Sequence, residues 1–453
     1  MQHTPTVAAA PAGPAPASPA RFTISAGAPL IAATELRQIC LDAGAHDAGF
    51  VEIDRPALAH QRDDIRTVLP RTRTLIALVM RMSPESVRSP LRAVANTEFH
   101  AVGEETNHVA RRIVDALVRR GIRAVNPGMA FPMEVSRVPE RVPWIVSHKL
   151  VAEQAGLGRM GIHRNVIHPR FGNFILLSTV FCEAVVDAYG VPLDDNPCIS
   201  CKLCVAACPV GAISPEGRFN VASCSTHNYR EFLGGFTDWV ETITESAGRL
   251  GYRRRVEDHE TLSMWQSLAY GPNYKAAYCL AVCPAGTDVL GPFVRDKAEH
   301  VESVVRPLQQ KVEPLYVVKG SDAETFARAR YPHKRLRHVH TGIKPTSVAS
   351  FLWGVPWLLQ PGQAGDLAAT FHFRFTGAET RDATIDIRDR RATVREGLHG
   401  RADATVVADA RAWVRFLRRE LALPWALLTR RIRIGGGLRA IRLMGAFGRC
   451  FPS

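Results

Sequence analysis

Leu36, Ile39 and Cys40 recur at helical spacing and mark one apolar face, which predicts a short helix over residues 34 to 43. Ala48 to Ile53 and Leu75 to Val79 are apolar runs of strand length. Val109, Ile113, Val114 and Leu117 return to helical spacing, and Gly121 is placed to end that helix. Ile122 to Val125 begins a further strand. A helix through His148 to Ala155 should stop at Gly156, and Phe174 to Phe181 reads as a buried strand. The alternation predicts an α/β domain over residues 31 to 190, with a mixed or parallel sheet covered by helices.

The pattern changes twice. Residues 301 to 345 are polar and basic, with Ser321 and Glu324 spaced as a capping box, and read as a structured connector. From residue 346 the chain is apolar again: a helix over SVASFLWGVPWLLQ, then strands. Phe371, Phe373 and Phe375 alternate with His372, Arg374 and Thr376, and Ile385 and Ile387 alternate with Thr384, Asp386 and Arg388. Each set is a strand with one buried face. Asp409 caps a helix carrying Trp413, Phe416, Leu417 and Leu421. Arg431 to Ile434 leads through Gly435, Gly436 and Gly437 into a last helix. At the other end, residues 1 to 20 are Ala/Pro-rich and almost uncharged, lacking the basic and apolar regions of a secretory signal. A disordered tail is expected over residues 1 to 30.

Between the two domains the chemistry is carried by cysteine. Residues 197 to 212 read PCISCKLCVAACPVGA, placing Cys198, Cys201, Cys204 and Cys208 in the C-x2-C-x2-C-x3-C-P run of a bacterial-ferredoxin site. Iron in such clusters takes thiolate ligands, and two-residue gaps let a tight loop wrap three sulfurs around one cube. A lone C-x2-C would serve zinc or a redox dithiol equally well, and four-thiolate zinc sites use two separated pairs. Cys224 adds a further thiol, and Cys279-x3-Cys283-Pro284 repeats the back half of the run. In two-cluster modules the last cysteine of each run crosses to the other cluster. Cys198, Cys201, Cys204 and Cys283 then hold the first cluster, a [4Fe-4S] centre. Cys208, Cys224 and Cys279 hold the second, with Ala276 where a fourth thiolate belongs. That second centre is a [4Fe-4S] or a [3Fe-4S] cluster, with Ser225, His227 and Tyr274 the nearest replacement ligands. A ferredoxin-like module over residues 191 to 300 follows. Cys40, Cys182 and Cys450 stand apart in apolar settings and read as small buried hydrophobes.

Charge changes the picture only at the end. The chain of 453 residues carries a net charge of +14, and residues 369 to 453 contain 17 Arg, no Lys and 8 acids. Such a surplus suits nucleic acid, anionic lipid or an acidic partner, or is a solvated face. No apolar run of 18 residues or more occurs, so no membrane span is expected, and cysteine in cluster spacing suits a reducing cytoplasm.

Residues 155 to 161, AGLGRMG, place Gly156, Gly158 and Gly161 in a loop between helix and strand, where glycine lets backbone approach a ligand. An α/β region, this glycine loop, a buried strand and a split two-cluster module together resemble epoxyqueuosine reductase and, more distantly, the reductive dehalogenases, over about residues 35 to 300. The resemblance implies a cobalamin between the α/β domain and the clusters, electrons passing from cluster to cobalt to substrate, and a modified base of transfer RNA as the reductase's substrate. Three departures stand out. Gly161-Ile162-His163-Arg164-Asn165 replaces the family's Gly-Lys-Asn. The family's proton-donating acid, about sixteen positions before the glycine loop, meets Arg141-Val142-Pro143-Trp144 here. Ala276 replaces a cluster ligand.

These departures predict a paralogue that does not act on tRNA, and they leave cobalamin open. His148, His163 and His168 could supply a proton or ligate cobalt, with His163, in place of the family lysine, the leading candidate; Glu134 and Glu153 are alternative acids. Gly156, Gly158 and Gly161 are the candidate cofactor cradle. Residues 346 to 450 look like a sterol-carrier-protein domain, α+β in class, which implies an apolar tunnel for a lipid or sterol-like ligand. The expected function is an iron–sulfur oxidoreductase supplied by a ferredoxin, flavodoxin or reductase. A non-catalytic electron carrier and a lipid-binding adaptor with structural clusters are the alternatives.

Overall fold

The computed structural model describes residues 27–138, 142–340 and 344–452. The Ala/Pro-rich tail expected over residues 1 to 30 therefore lies outside the described residues as far as residue 26. Its expected end is too late, because Leu30 already pairs with Val185. The described residues form two compact units. One takes in residues 27–137, 142–206 and 278–307; the other takes in residues 138, 207–277, 308–340 and 344–452. The expected ferredoxin module is thus divided, with Cys198, Cys201, Cys204, Cys279 and Cys283 in the first unit and Cys208 and Cys224 in the second.

In the first unit the strands are β1 (Leu30–Ile31), β2 (Asp47–Glu52), β3 (Thr74–Arg81), β4 (Ala124–Val125), β5 (Arg159–Met160), β6 (Val166–Ile167), β7 (Ile175–Cys182) and β8 (Val185–Val186). Its main helices are α1 (Ala33–Asp42), α2 (Arg92–Val118) and α3 (His148–Gln154). The central sheet runs β2-β3-β7-β4. Every pairing in it is antiparallel, with Leu75 opposite Phe181 and Ile76 opposite Val180. The expected mixed or parallel sheet is corrected here. Strands covered on both faces read as unbroken apolar runs whichever way they point. Leu36, Ile39, Val109, Ile113 and Leu117 cover one face, against Ile76, Leu78 and Val180. Val151 and Ala152 of α3 cover the other, against Leu75, Ala77 and Phe181. Fully burying each such side chain contributes about 1.5–3 kcal/mol, enough for two apolar faces to fix the register of an eight-residue strand.

In the second unit, α4 (Val221–His227) is followed by helices over Gly235–Thr244, Gly248–Arg255 and Asp258–Tyr270. Then β9 (Pro314–Val317), α5 (Asp322–Arg330) and β10 (Arg335–His338) make a parallel crossover, and α6 (Val348–Leu358) leads into the last sheet. Ser321 caps α5 through the Glu324 N–H, as the sequence predicts, while the Glu324 carboxylate accepts from Gly320. Strands β11 (Ala369–Thr376), β12 (Arg381–Arg388), β13 (Arg391–Glu396), β14 (Ala404–Asp409) and β15 (Ile432–Gly435) order as β13-β12-β11-β14-β15. Only the β11–β14 pair is parallel. Helices α7 (Ala410–Leu417) and α8 (Gly437–Arg449) close one face.

Phe371, Phe373 and Phe375 all point inward, and the Phe373 and Trp413 rings stand 5.4 Å apart. These rings pack within the apolar core of the last sheet. A cavity of about 370 Å³ in this unit lies at the β12–β13 hairpin, lined by Arg218, Asp386, Arg388, Asp389, Arg391 and Thr393. Nor does a boundary fall at residue 346. The Asp322 carboxylate accepts from the Gly362 and Gln363 N–H groups at 2.7 and 3.0 Å, joining the expected connector to the last sheet.

Candidate iron–sulfur site

The loop that begins at Cys198 follows Asn196, whose side-chain oxygen accepts from the Cys198 N–H. Ser200 and Lys202 both adopt positive φ, 53° and 60°. A non-glycine residue there costs about 1–2 kcal/mol, and the alternation turns successive backbone N–H groups toward the inside of the loop. Four thiols, Cys198, Cys201, Cys279 and Cys283, are the electrostatic neighbours of Cys204. Ile167 of β6 and Ala285 close over Cys198 and Cys283. Burial, and then the neighbouring sulfurs, drive the Cys204 thiol far above its ordinary range. Burial likewise pushes Cys283 up to about 12, although the Ala285 N–H and the Asn173 side chain both donate to its sulfur. Cys201 is also raised by burial, against N–H donation from Leu203.

Crowded thiols in a desolvated loop with N–H groups aimed at sulfur suit ligands of a cationic iron core. Among the described residues no three His, Cys, Asp or Glu side chains converge tightly enough to hold a single metal ion. A cube asks for a different arrangement, one thiolate to each iron around a shared space. The residues of the first unit therefore fit the group. All four thiols expected for the first cluster are present, together with Cys279, which was expected at the second.

In the second unit, Cys208 and partly buried Cys224 pack with Val210, Ala212 and Val317. Cys208 receives backbone N–H bonds from residues 210 to 213, while its burial raises the thiol. Asn228, one turn beyond Cys224, accepts from the Ala276 N–H at 3.1 Å, so the position lacking a thiol is fixed beside α4. The three replacement ligands named above are differently employed. Ser225 Oγ donates to the Ala222 carbonyl of its own helix. The Tyr274 ring sits against Phe232 and Tyr229. His227 Nδ1 accepts from the Tyr316 N–H, so the ring proton lies at Nε2, which offers a hydrogen rather than a lone pair.

The glycine loop closes on the chain's own residues. A β-carbon at Gly158 would fall on the Ile167 carbonyl oxygen, and one at Gly156 would stand 2.6 Å from that of Val191. At Gly161 the neighbours are Ile167 and His163. These three positions need glycine for contact of chain with chain, so the expected cofactor cradle is filled by protein on the side a β-carbon would take. Lys149, unremarked in the sequence, holds the loop by donating to the Arg164 carbonyl at 2.7 Å.

His163 is buried, with Asn165 N–H at Nδ1 (3.1 Å) and Asn173 Nδ2 at 3.2 Å from Nε2. Burial, helped by the Lys149 charge, pushes it down to about 3. A ring held neutral at neutral pH is a poor general acid there, which weighs against proton donation by His163. His148 is likewise buried, bonded to Thr179 Oγ1 at 2.9 Å and pushed down to about 4 by burial. His168 Nε2 bonds Asp47 at 3.0 Å. Glu153 accepts from the Met160 N–H, and Glu134 is exposed. Glu140, one position before residues 141 to 144 and sixteen before Gly156, lies outside the described residues. Cys40, Cys182 and Cys450 are buried as expected, and burial raises all three thiols.

A family model described as a 4Fe-4S binding domain matches residues 191–214. Epoxyqueuosine reductase of Staphylococcus aureus is 26% identical over 189 residues, 40% of this chain and 46% of that protein. The Cellulophaga algicola enzyme is 25% identical over 243 residues, 47% of this chain and 74% of its own. The chain spans about half the length of most of the curated relatives it matches. A solved epoxyqueuosine reductase from Streptococcus thermophilus covers 60% of this chain and 75% of its own at 14% identity, with a TM-score of 0.34. Another, with a tRNA-Tyr epoxyqueuosine-modified stem loop, covers 60% of this chain and 68% of its own at 18% identity, with a TM-score of 0.32.

The resemblance to epoxyqueuosine reductase holds, and the chain carries an iron–sulfur binding region. The expected partners need correction. Transfer RNA was set aside on a few loop residues, yet the curated relatives are epoxyqueuosine reductases. These relatives do not point to the expected redox-protein donor or lipid ligand. Among the described residues no helix is long and apolar enough to cross a membrane.

Proposed function

We propose that this chain is an iron–sulfur oxidoreductase of the epoxyqueuosine reductase kind, acting on a modified base in tRNA. The observation that supports it most is the convergence of Cys198, Cys201, Cys204, Cys279 and Cys283 within the unit that also carries the glycine loop. When bound, the cluster supplies electrons one at a time. Ser200 and Lys202 are exposed, which leaves one side of the loop open for electrons to enter. Lys149 and Asn165 fix the glycine loop beside the thiols, and Ile167 shields Cys198 and Cys283 from water. Reducing an epoxide to an alkene takes two electrons and two protons and releases the oxygen as water. With His163 neutral, Glu140 is the acid at the spacing of the family's proton donor. Cys208 and Cys224 of the second unit are the further thiols available for a second cluster. We route no step through cobalamin, because the glycines expected to cradle it close on Val191 and Ile167.

The test is a turnover experiment. Anaerobically reconstituted, chemically reduced protein is given tRNA bearing epoxyqueuosine, and the nucleosides are read by mass spectrometry. Loss of one oxygen from the modified base supports the reading. A fully loaded protein that leaves the base unchanged, with and without added cobalamin, overturns it.

A further inference from the structure

We propose that the helices over Gly235–Thr244, Gly248–Arg255 and Asp258–Tyr270 form a docking surface for an anionic lipid bilayer. They occupy the stretch of chain between Cys224 and Cys279, all within the second unit. The inference is independent of the proposed action on tRNA and goes beyond it.

The first and third of these helices are built inside out. A surface helix ordinarily buries an apolar stripe and turns its polar face to water. In Gly235–Thr244 the buried Asp238 carboxylate accepts from Arg230 at 2.6 Å and bonds His340 at 3.2 Å, while Glu241 pairs with Lys344. Its outward positions are Phe236, Val240 and Ile243, all exposed, with exposed Leu233 just before them. In Asp258–Tyr270, Ser263 and Ser267 both donate to Glu231, which also pairs with Lys275, and Glu260 pairs with Arg337 at 2.9 Å. Met264 turns inward, but Leu262, Trp265 and Leu268 are each more than half exposed. Rolling either helix to hide its apolar residues would strip these carboxylates of their partners, so the orientation is locked.

The middle helix ties the other two together and carries the charge. Trp239 Nε1 donates to the Tyr252 hydroxyl at 2.9 Å, and that hydroxyl bonds Thr261. Arg255 pairs with Glu245 at 3.4 Å. Arg249, Arg253 and Arg254 are exposed and, among the described residues, form no ion pair, and Leu250 between them is exposed as well.

Exposed apolar side chains beside unpaired arginines match the layers of a bilayer surface. Leucine and phenylalanine suit the acyl chains, arginine suits the phosphate headgroups, and rings such as Trp265 and Tyr270, 5.8 Å apart, suit the boundary between them. A second copy fits less well, because the chain carries a net charge of +14 and a two-fold contact would bring these arginines toward their own counterparts. RNA would use the arginines and rings but would leave Val240, Ile243 and Leu262 facing water.

The experiment is flotation of the full-length protein with vesicles of phosphatidylcholine, with and without phosphatidylglycerol. The wild type should float with the anionic vesicles, remain below with phosphatidylcholine alone, and be released as salt is raised. Arg253→Ala with Arg254→Ala should lower the partition coefficient by about 30-fold, and Trp265→Gln with Leu268→Gln should abolish flotation. Iron content and melting temperature should stay at wild-type values, because these side chains are exposed. A wild type that ignores anionic vesicles, or variants that float as well as wild type, overturns the proposal. So does a stable wild-type dimer in light scattering that Trp265→Gln dissociates, which would assign the face to a second copy. Turnover on tRNA is measured separately, so either reading can fail while the other stands.

Discussion

Replacing Gly158 by alanine separates a packing glycine from a cofactor glycine. The added β-carbon would land on the Ile167 carbonyl oxygen and against Val166 Cγ1, both on the facing strand β6. Backbone cannot swing aside as a side-chain tip can, so β5 and β6 must part. Overpacking of this kind costs about 1–3 kcal/mol, and the rigid neighbour puts Gly158→Ala toward about 2–3. At about 2–4 °C per kcal/mol for a unit of this size, the melting temperature should fall by about 4–12 °C. Gly121→Ala is the comparison: its φ is +74° and nothing lies within 4 Å, so it carries only the backbone penalty of about 1 kcal/mol. The assay is thermal and urea unfolding of metal-free protein, followed by iron uptake. Because Ile167 also covers Cys198 and Cys283, uptake by Gly158→Ala should slow as well. Metal-free Gly158→Ala with wild-type stability would refute the packing argument and return the glycine to a ligand-facing role.

Three further outcomes follow from the same geometry. Phe373→Ala removes a fully buried ring from the last sheet and should cost about 3–5 kcal/mol, read by denaturant unfolding. Residues 346 to 453 expressed alone lose the Asp322 acceptor of the Gly362 and Gln363 N–H groups, so they should melt lower than the same residues in the full chain; equal melting would point to an independent domain. His148 is neutral in the fold and pushed down from 6.5 to about 4, so the unfolded chain binds the extra proton. Stability should therefore be complete above about pH 6.5 and fall toward pH 4, by up to about 1.4 kcal/mol per pH unit for this group. Urea midpoints of His148→Gln against wild type across that window check it: a slope unchanged by the substitution would contradict the assignment.

Elements with one clean period were legible. Leu36, Ile39 and Cys40 face inward as read, and Phe371, Phe373 and Phe375 form a buried strand face. Strand direction was not legible, because β3 is buried on both faces and carries no alternation to reveal its partners. The start of α2 was also hidden. Its first half turns Arg92 and Asn96 inward, so an apolar stripe appears only from Val109 onward. The iron–sulfur binding region could be read from cysteine spacing, since a cube constrains its loop so tightly. The burial of His163, which lowers its pKa, is visible only in the fold.

The central claim is that this chain holds iron–sulfur clusters through its patterned cysteines. Anaerobic purification and reconstitution, with iron, sulfide and zinc counted beside the visible spectrum, test it most directly for wild type and Cys204→Ser. The account predicts roughly seven or eight irons per wild-type chain, and loss of the first cluster with a lower melting temperature in Cys204→Ser. A zinc-only wild type, or a Cys204→Ser protein with the full wild-type spectrum and iron count, would contradict it.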